Sequence, residues 1–95
     1  MKLERTPTGL VELRLSENPD DFRRIAEIVH RTLNGKWKQQ LNGLDQSYWD
    51  LEVDGKILTV HREHYLGVSV FCDGDEAKVQ LLKKLKSFFE VNKPN

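Results

Sequence analysis

A strict alternation of apolar and polar residues around an Asp-Gly pair constrains the fold more than any other feature of this sequence. The segment is SYWDLEVDGKILTVHRE, residues 47–63, and Asp54-Gly55 is typical of a two-residue hairpin turn. Such a turn fixes the register, so the side chains on each face are known in advance. One face carries five apolar residues and is expected to lie in the core: Trp49, Leu51, Val53, Leu58 and Val60.

The other face of this hairpin mixes aromatic, polar and charged side chains. The register places Tyr48 opposite His61, Asp50 opposite Thr59, and Glu52 opposite Ile57. A sheet built from such strands has one face on the core and one face that the hairpin itself does not cover.

Two further segments alternate in the same way. LVELRLS, 10–16, has Val11, Leu13 and Leu15 on one face, and LGVSVFC, 66–72, carries an apolar residue at every second position. Pairing Val60 with Val68 joins the second segment to the hairpin through a three-residue loop, 63–65. That register puts His61 opposite Gly67, Thr59 opposite Ser69, and Ile57 opposite Phe71.

Two segments have helical periodicity. The first, 19–33, follows the capping residue Asn18 and ends at Asn34-Gly35, a left-handed stop. The second follows Asp73 or Asp75 as the N-cap. Its predicted buried stripe is Leu81, Leu82, Leu85, Phe88 and Phe89.

KWKQQLNGLDQ, 36–46, fits either an ordered loop or a strand that turns at Asn42-Gly43, which would place Trp37 opposite Tyr48. The predicted fold is therefore one α+β domain over 1–95, in the order β-α-(β)-β-β-β-α. It is a mainly antiparallel sheet of four to five strands with two helices on one face.

Charge and cysteine content restrict the classes of function. Fifteen basic and fifteen acidic residues give a formal net charge of +0, so the whole molecule is not attracted to nucleic acid or to an anionic membrane. The single cysteine, Cys72, excludes an intramolecular disulfide and a thiolate cage. An unpaired thiol, together with an N-terminus that lacks an apolar segment, leads us to expect a cytoplasmic protein without membrane contact.

Two histidines in VHREHYLGV, 60–68, raise the question of a metal or catalytic site. In an extended strand, the side chains of His61 and His64 point to opposite faces, and no HExxH motif is present, so we predict no metal and no cofactor. A catalytic role remains an alternative for His61 alone, because its neighbours Tyr48 and Asp50 could make it a general base. No activated nucleophile accompanies it, and we therefore predict no catalytic residues.

Aromatic residues among small hydroxyl groups are typical of a protein contact surface. We predict such a surface on the second face of the sheet, and we expect it to bind another protein or a second copy of the chain. One alternative is a small enzyme or ligand-binding protein that uses His61, and another is a weak nucleic-acid binder through Trp37 and neighbouring lysines. The predicted surface consists of Trp37, Tyr48, Asp50, Ile57, Thr59, His61, Ser69 and Phe71.

The segment WDLEVDGKILTVHREHYLGVSVF, 49–71, followed by an acidic turn and an amphipathic helix, resembles small bacterial cytosolic domains of unknown function. The resemblance covers the C-terminal half of the chain. It implies a small bacterial α+β protein and carries no catalytic motif. By size and character alone, the chain is also comparable to partner proteins of the immunity or antitoxin type.

Overall fold

The computed structural model describes residues 1–92 and contains a six-stranded antiparallel sheet in the order β1-β2-β6-β5-β4-β3. The predicted domain extends to 95, so its last three residues lie outside the described part. The strands are β1 (Leu3–Arg5), β2 (Val11–Ser16), β3 (Lys36–Asn42), β4 (Gln46–Val53), β5 (Lys56–Glu63) and β6 (Gly67–Cys72). The helices are α1 (Phe22–Leu33), which follows a 3-10 turn at Pro19–Asp21, and α2 (Glu76–Val91).

The predicted α+β class is confirmed, with one or two strands more than expected. β1 was not predicted, because three residues, LER, are too short to show any periodicity. The uncertain stretch after α1 is a strand, β3, at one edge of the sheet.

The central hairpin has the register that its Asp-Gly pair predicts. Val53 pairs with Lys56 and Trp49 with Val60. Asp54 and Gly55 have φ angles of 50° and 78°, the left-handed values that a type I′ turn requires. The sequence-based assignment of the two faces of β4 and β5 is therefore correct.

The register between β5 and β6 differs from the prediction by two residues. Val60 pairs with Val70 instead of Val68, and the loop is 64–66, between the paired residues Glu63 and Gly67. His61 therefore lies opposite Ser69. The shift is even, so every side chain stays on its predicted face.

Trp37 lies on the helical side of the sheet, contrary to the prediction. The β3–β4 connection is centred on Leu44-Asp45, with the Gly43 amide donating to the Gln46 carbonyl at 2.7 Å, so Leu41 pairs with Tyr48. A bulge between Trp37 and Gln39 then reverses which side chains of β3 point to each face. Because of this bulge, Trp37 pairs with Leu51 on the core face.

Both helices pack on that core face. Asn18 caps the 3-10 turn by accepting from the Asp20 amide, so α1 itself begins at Phe22 and not at the predicted residue 19. Asn34 ends α1 at a φ angle of 53°, as predicted. Asp75 is the N-cap of α2, the second of the two predicted candidates. The predicted stripe of α2 is only partly buried: Leu82, Leu85 and Phe89 lie in the core, Leu81 lies at its margin, and Phe88 is 36% exposed.

The core lies between the helices and one face of the sheet. It combines alternate residues of β2, β4, β5 and β6 with the inner faces of α1 and α2. Within residues 1–92, neither helix is long and apolar enough to span a bilayer.

Candidate binding face of the sheet

The sheet face opposite the helices, here called the open face, is not covered by any helix in the described part of the chain. Strand alternation places its side chains, and adjacent strands contribute in register. Seven of the eight residues predicted from the sequence lie on this face: Tyr48, Asp50, Ile57, Thr59, His61, Ser69 and Phe71.

Three rings form a row across β4, β5 and β6. The Tyr48 and His61 rings stack with centroids 4.5 Å apart and planes 14° apart. The Phe71 ring meets His61 edge-on at 5.9 Å and 80°. Side chains already held by such contacts lose little conformational freedom when another surface packs on them.

Gln46 fixes one end of this row, and sequence reasoning missed it. Its Oε1 atom accepts from the Tyr48 hydroxyl and lies 3.0 Å from His61 Nε2. The same alternation that selected Tyr48 places Gln46 two residues earlier on the same face, so the signal was present.

The hydrogen bond between His61 and Asp50 that the general-base alternative requires is not formed. The Asp50 carboxylate accepts from the Thr59 hydroxyl at 2.7 Å, whereas the imidazole hydrogen-bonds Gln46. Within the described residues, no hydrogen bond joins His61 to a carboxylate. His61 therefore lacks the orienting acid that the general-base alternative required.

Partial burial sets the protonation of His61. Desolvation lowers the pKa of the imidazole from its ordinary value of 6.5, and Arg14 and Arg62 act in the same direction. Glu12 and Glu63 oppose the shift with their negative charges but do not reverse it. At neutral pH, the ring is therefore a neutral aromatic surface with one polar edge.

The β2 side of the open face is polar and internally bonded. The buried Ser69 hydroxyl donates to Glu12 Oε2 at 3.2 Å, and Arg14 lies 3.8 Å from the other oxygen of Glu12. Arg14 also donates to the Leu66 carbonyl at the tip of the β5–β6 loop. Glu12 on β2 and Leu41 on the edge strand β3 also lie on this face, and they were not among the predicted surface residues.

Carboxylates outnumber cations on the open face, although the whole chain has no net charge. The paired strand residues on this side include Glu4, Glu12, Asp50, Glu52 and Glu63 as acids, against Arg14 and Lys36 as bases. Adding Lys38, the extra residue at the β3 bulge, leaves the acids in excess. The open face therefore has a local negative potential.

Trp37 is the predicted surface residue that does not join this face. Its ring stacks on His30 of α1 with centroids 5.5 Å apart and meets Trp49 edge-on at 5.3 Å. Half-buried between these rings, the indole cannot serve as a platform for a nucleotide base on the open face. The nucleic-acid alternative loses its stacking residue.

The two other candidate groups from the sequence are spatially separate from the rings. His64 lies in the β5–β6 loop, where it packs on Tyr65 at 4.7 Å. Cys72 is 3% exposed, and burial, reinforced by Asp73, raises the pKa of its thiol. Among residues 1–92, no group of three or more His, Cys, Asp or Glu side chains could hold a metal ion.

Comparison of the chain with protein-family models, with curated proteins and with solved structures gave no match.

Proposed function

We propose that the chain is a protein-binding module whose open face binds a partner protein with a basic surface. The observation that carries the proposal is an uncovered sheet face with a fixed row of rings, Tyr48, His61 and Phe71, surrounded by excess carboxylates. Aromatic anchors contribute most of the energy at protein interfaces, and surrounding charges select the partner and speed its approach.

The size of the open face suits such a contact. Six strands at about 4.8 Å spacing, each of up to about 27 Å, present a surface of several hundred Å². A standard interface buries about 800 Å² on each partner, so the face with its flanking loops is large enough.

The charge pattern favours a different protein over a second copy of the chain. Glu4 lies directly opposite Glu12 in the β1–β2 ladder, a like-charge pair that is unfavourable in the isolated molecule. Two such faces brought together would repel each other, whereas a partner rich in Arg or Lys would relieve the repulsion.

Cytoplasmic location in a bacterial cell is part of the same proposal. The unpaired, buried Cys72 supports it, because a thiol of this kind persists in a reducing compartment. The bacterial assignment depends on the resemblance of 49–71 to small bacterial domains.

The test is capture from an extract of the native host with the chain as immobilised bait. We expect one protein to be retained at low salt, and to be lost with Phe71→Ala and with the paired change Asp50→Asn and Glu52→Gln. The matched control, Glu76→Gln and Glu90→Gln on exposed positions of α2, removes the same number of charges from the helical side and should retain it.

Sedimentation of the purified chain and its variants accompanies the capture, and a monomer is expected. Retention that the open-face variants leave unchanged would overturn the proposal. So would a stable dimer that the same variants dissociate, since the face would then bind its own copy.

A further inference from the structure

A cleft of about 440 Å³ opens on the helical side of the sheet, away from the open face. It lies between the start of α1, with Arg23, and the β3–β4 connection at Gly43. Asn42, Ser47 and Arg62 line it from the strands, at positions on the core side. The rings and carboxylates of the proposed protein interface take no part in it.

Two arginines line this cleft without forming an ion pair in the described residues. Arg14, Arg24 and Arg31 each lie within 4 Å of a carboxylate oxygen, but neither Arg23 nor Arg62 does so. Two guanidinium groups at one cleft, neither of which has a carboxylate oxygen within 4 Å in the described residues, attract an anion.

Both guanidinium groups are held in place by uncharged contacts. Arg23 lies over the Trp49 ring, 5.4 Å from its centroid. Arg62 donates through Nη2 to the Gly43 carbonyl at 2.8 Å and through Nε to the Ser47 hydroxyl at 3.3 Å. These bonds leave the Nη1 hydrogens of Arg62 available to a ligand.

Two neutral donors complete the set. The Asn42 Oδ1 atom accepts from Trp49 Nε1 at 2.9 Å, which fixes the amide orientation and leaves its NH₂ group free to donate. Ser47, only 2% exposed, accepts from Arg62 and keeps its own hydroxyl proton. Asp20 is the one carboxylate among the lining residues, and its side chain has no hydrogen-bond partner in the described part of the chain.

We infer that this cleft is a binding site for a small ligand with an anionic oxygen group, a carboxylate or a phosphate. Guanidinium groups recognise such groups through paired, charge-assisted hydrogen bonds, and the Asn42 and Ser47 donors add direction. The Asp20 carboxylate repels an anionic ligand, so we expect the affinity of the cleft to be low.

The test is a titration of the full chain followed by ¹H–¹⁵N NMR, with inorganic phosphate in one arm and sodium acetate in the other. Sodium chloride keeps the ionic strength constant, because general screening would otherwise move exposed charges. We expect saturable shifts of the Gly43 amide and of the Arg23 and Arg62 side-chain Nε–H signals with at least one of the two probes. The arm that saturates identifies the group recognised.

Two variants that leave the Arg62 hydrogen bonds intact make the test specific. Arg23→Gln should weaken binding by about tenfold or more, the loss expected for one charged hydrogen-bond donor. Asp20→Asn should tighten binding by about threefold, because it removes a like charge from the cleft. The control Arg31→Gln, on an exposed part of α1, should leave the affinity unchanged.

Shifts that fail to saturate with both probes would overturn the inference. An affinity that neither Arg23→Gln nor Asp20→Asn alters would also overturn it, because the anion would then bind elsewhere.

Discussion

At the scale of single residues, His61 combines an aromatic role with a perturbed protonation equilibrium. Its ring lies between Tyr48 and Phe71, and partial burial holds its pKa below the ordinary value of 6.5. The folded state therefore favours the neutral imidazole. Below about pH 6.5, the unfolded chain binds a proton that the folded chain does not, so this contribution to stability is present above that pH and is lost as the pH falls.

We predict that the free energy of unfolding decreases as the pH falls below about 6.5, and that His61→Gln flattens this decrease. Urea unfolding at a series of pH values measures it. The matched control, His64→Gln, removes an exposed imidazole from the β5–β6 loop and should keep the decrease. An unchanged pH dependence in His61→Gln would show that other groups control it.

Cys72 is a structural residue of the core. The residue is 3% exposed, and burial raises the pKa of its thiol, so little thiolate forms and reagents cannot reach it. We predict that a disulfide reagent labels the native chain about 100-fold more slowly than the urea-unfolded chain, because labelling must wait for the core to open. The single thiol makes the readout unambiguous, and equal rates in the two states would contradict its burial.

At the scale of elements, the β5–β6 loop depends on one glycine. Gly67 has a φ angle of 106°, and a Cβ atom there would lie 2.0 Å from the Ser16 carbonyl oxygen at the bulge in β2. The backbone of β2 occupies the space in which any side chain would have to lie. Gly67 pairs with Glu63 at the end of the loop, in the same register that places Ser69 opposite His61.

Gly67→Ala should lower the free energy of unfolding by about 2–4 kcal/mol, since it combines a strained φ angle with a backbone clash. Gly9→Ala is the matched control and should cost only about 1 kcal/mol. Gly9 has a φ angle of 88°, but within the described residues no atom lies within 4 Å of the position that an added methyl group would take. Urea unfolding measures both variants. Equal decreases in the free energy of unfolding would show that the close contact between Gly67 and β2 does not affect stability.

The elements also show what sequence can and cannot predict. Alternation and the Asp54-Gly55 turn predicted both faces of β4 and β5, and the Asn34-Gly35 stop predicted where α1 ends. The capping residue Asn18 marked the 3-10 turn that precedes α1, so the helix itself begins three residues later than predicted. The sequence does not predict on which side of the sheet Trp37 lies. Its position depends on a bulge in β3 for which no local residue pattern gives a signal. The bulge lets the Trp37 indole pack against His30 and Trp49, and this packing outweighs the loss of regular strand pairing at the bulge.

The candidate site, too, was predictable from the sequence only in part. Parity alone assembled Tyr48, His61 and Phe71 on one face, but the partners of their polar atoms were set by side-chain reach. His61 hydrogen-bonds Gln46 and not Asp50, the partner that the general-base alternative required, because the Asp50 carboxylate accepts from Thr59 directly opposite.

At the scale of the whole molecule, a chain with balanced charge has two unlike surfaces. The open face carries the rings and an excess of carboxylates, and the helical side carries a cleft with two guanidinium groups that form no ion pair within residues 1–92. We propose that the open face, and not the helical side, contacts a different, basic protein.

Site-specific photocrosslinking in cells of the native host tests this claim most directly. A benzophenone side chain is placed at Ile57, exposed on the open face, or at Lys83, exposed on α2. We predict an adduct with a single larger protein from position 57, diminished by the paired change Asp50→Asn and Glu52→Gln, and none from position 83. An adduct from position 83 alone, or an adduct of two copies of the chain from position 57, would contradict the account.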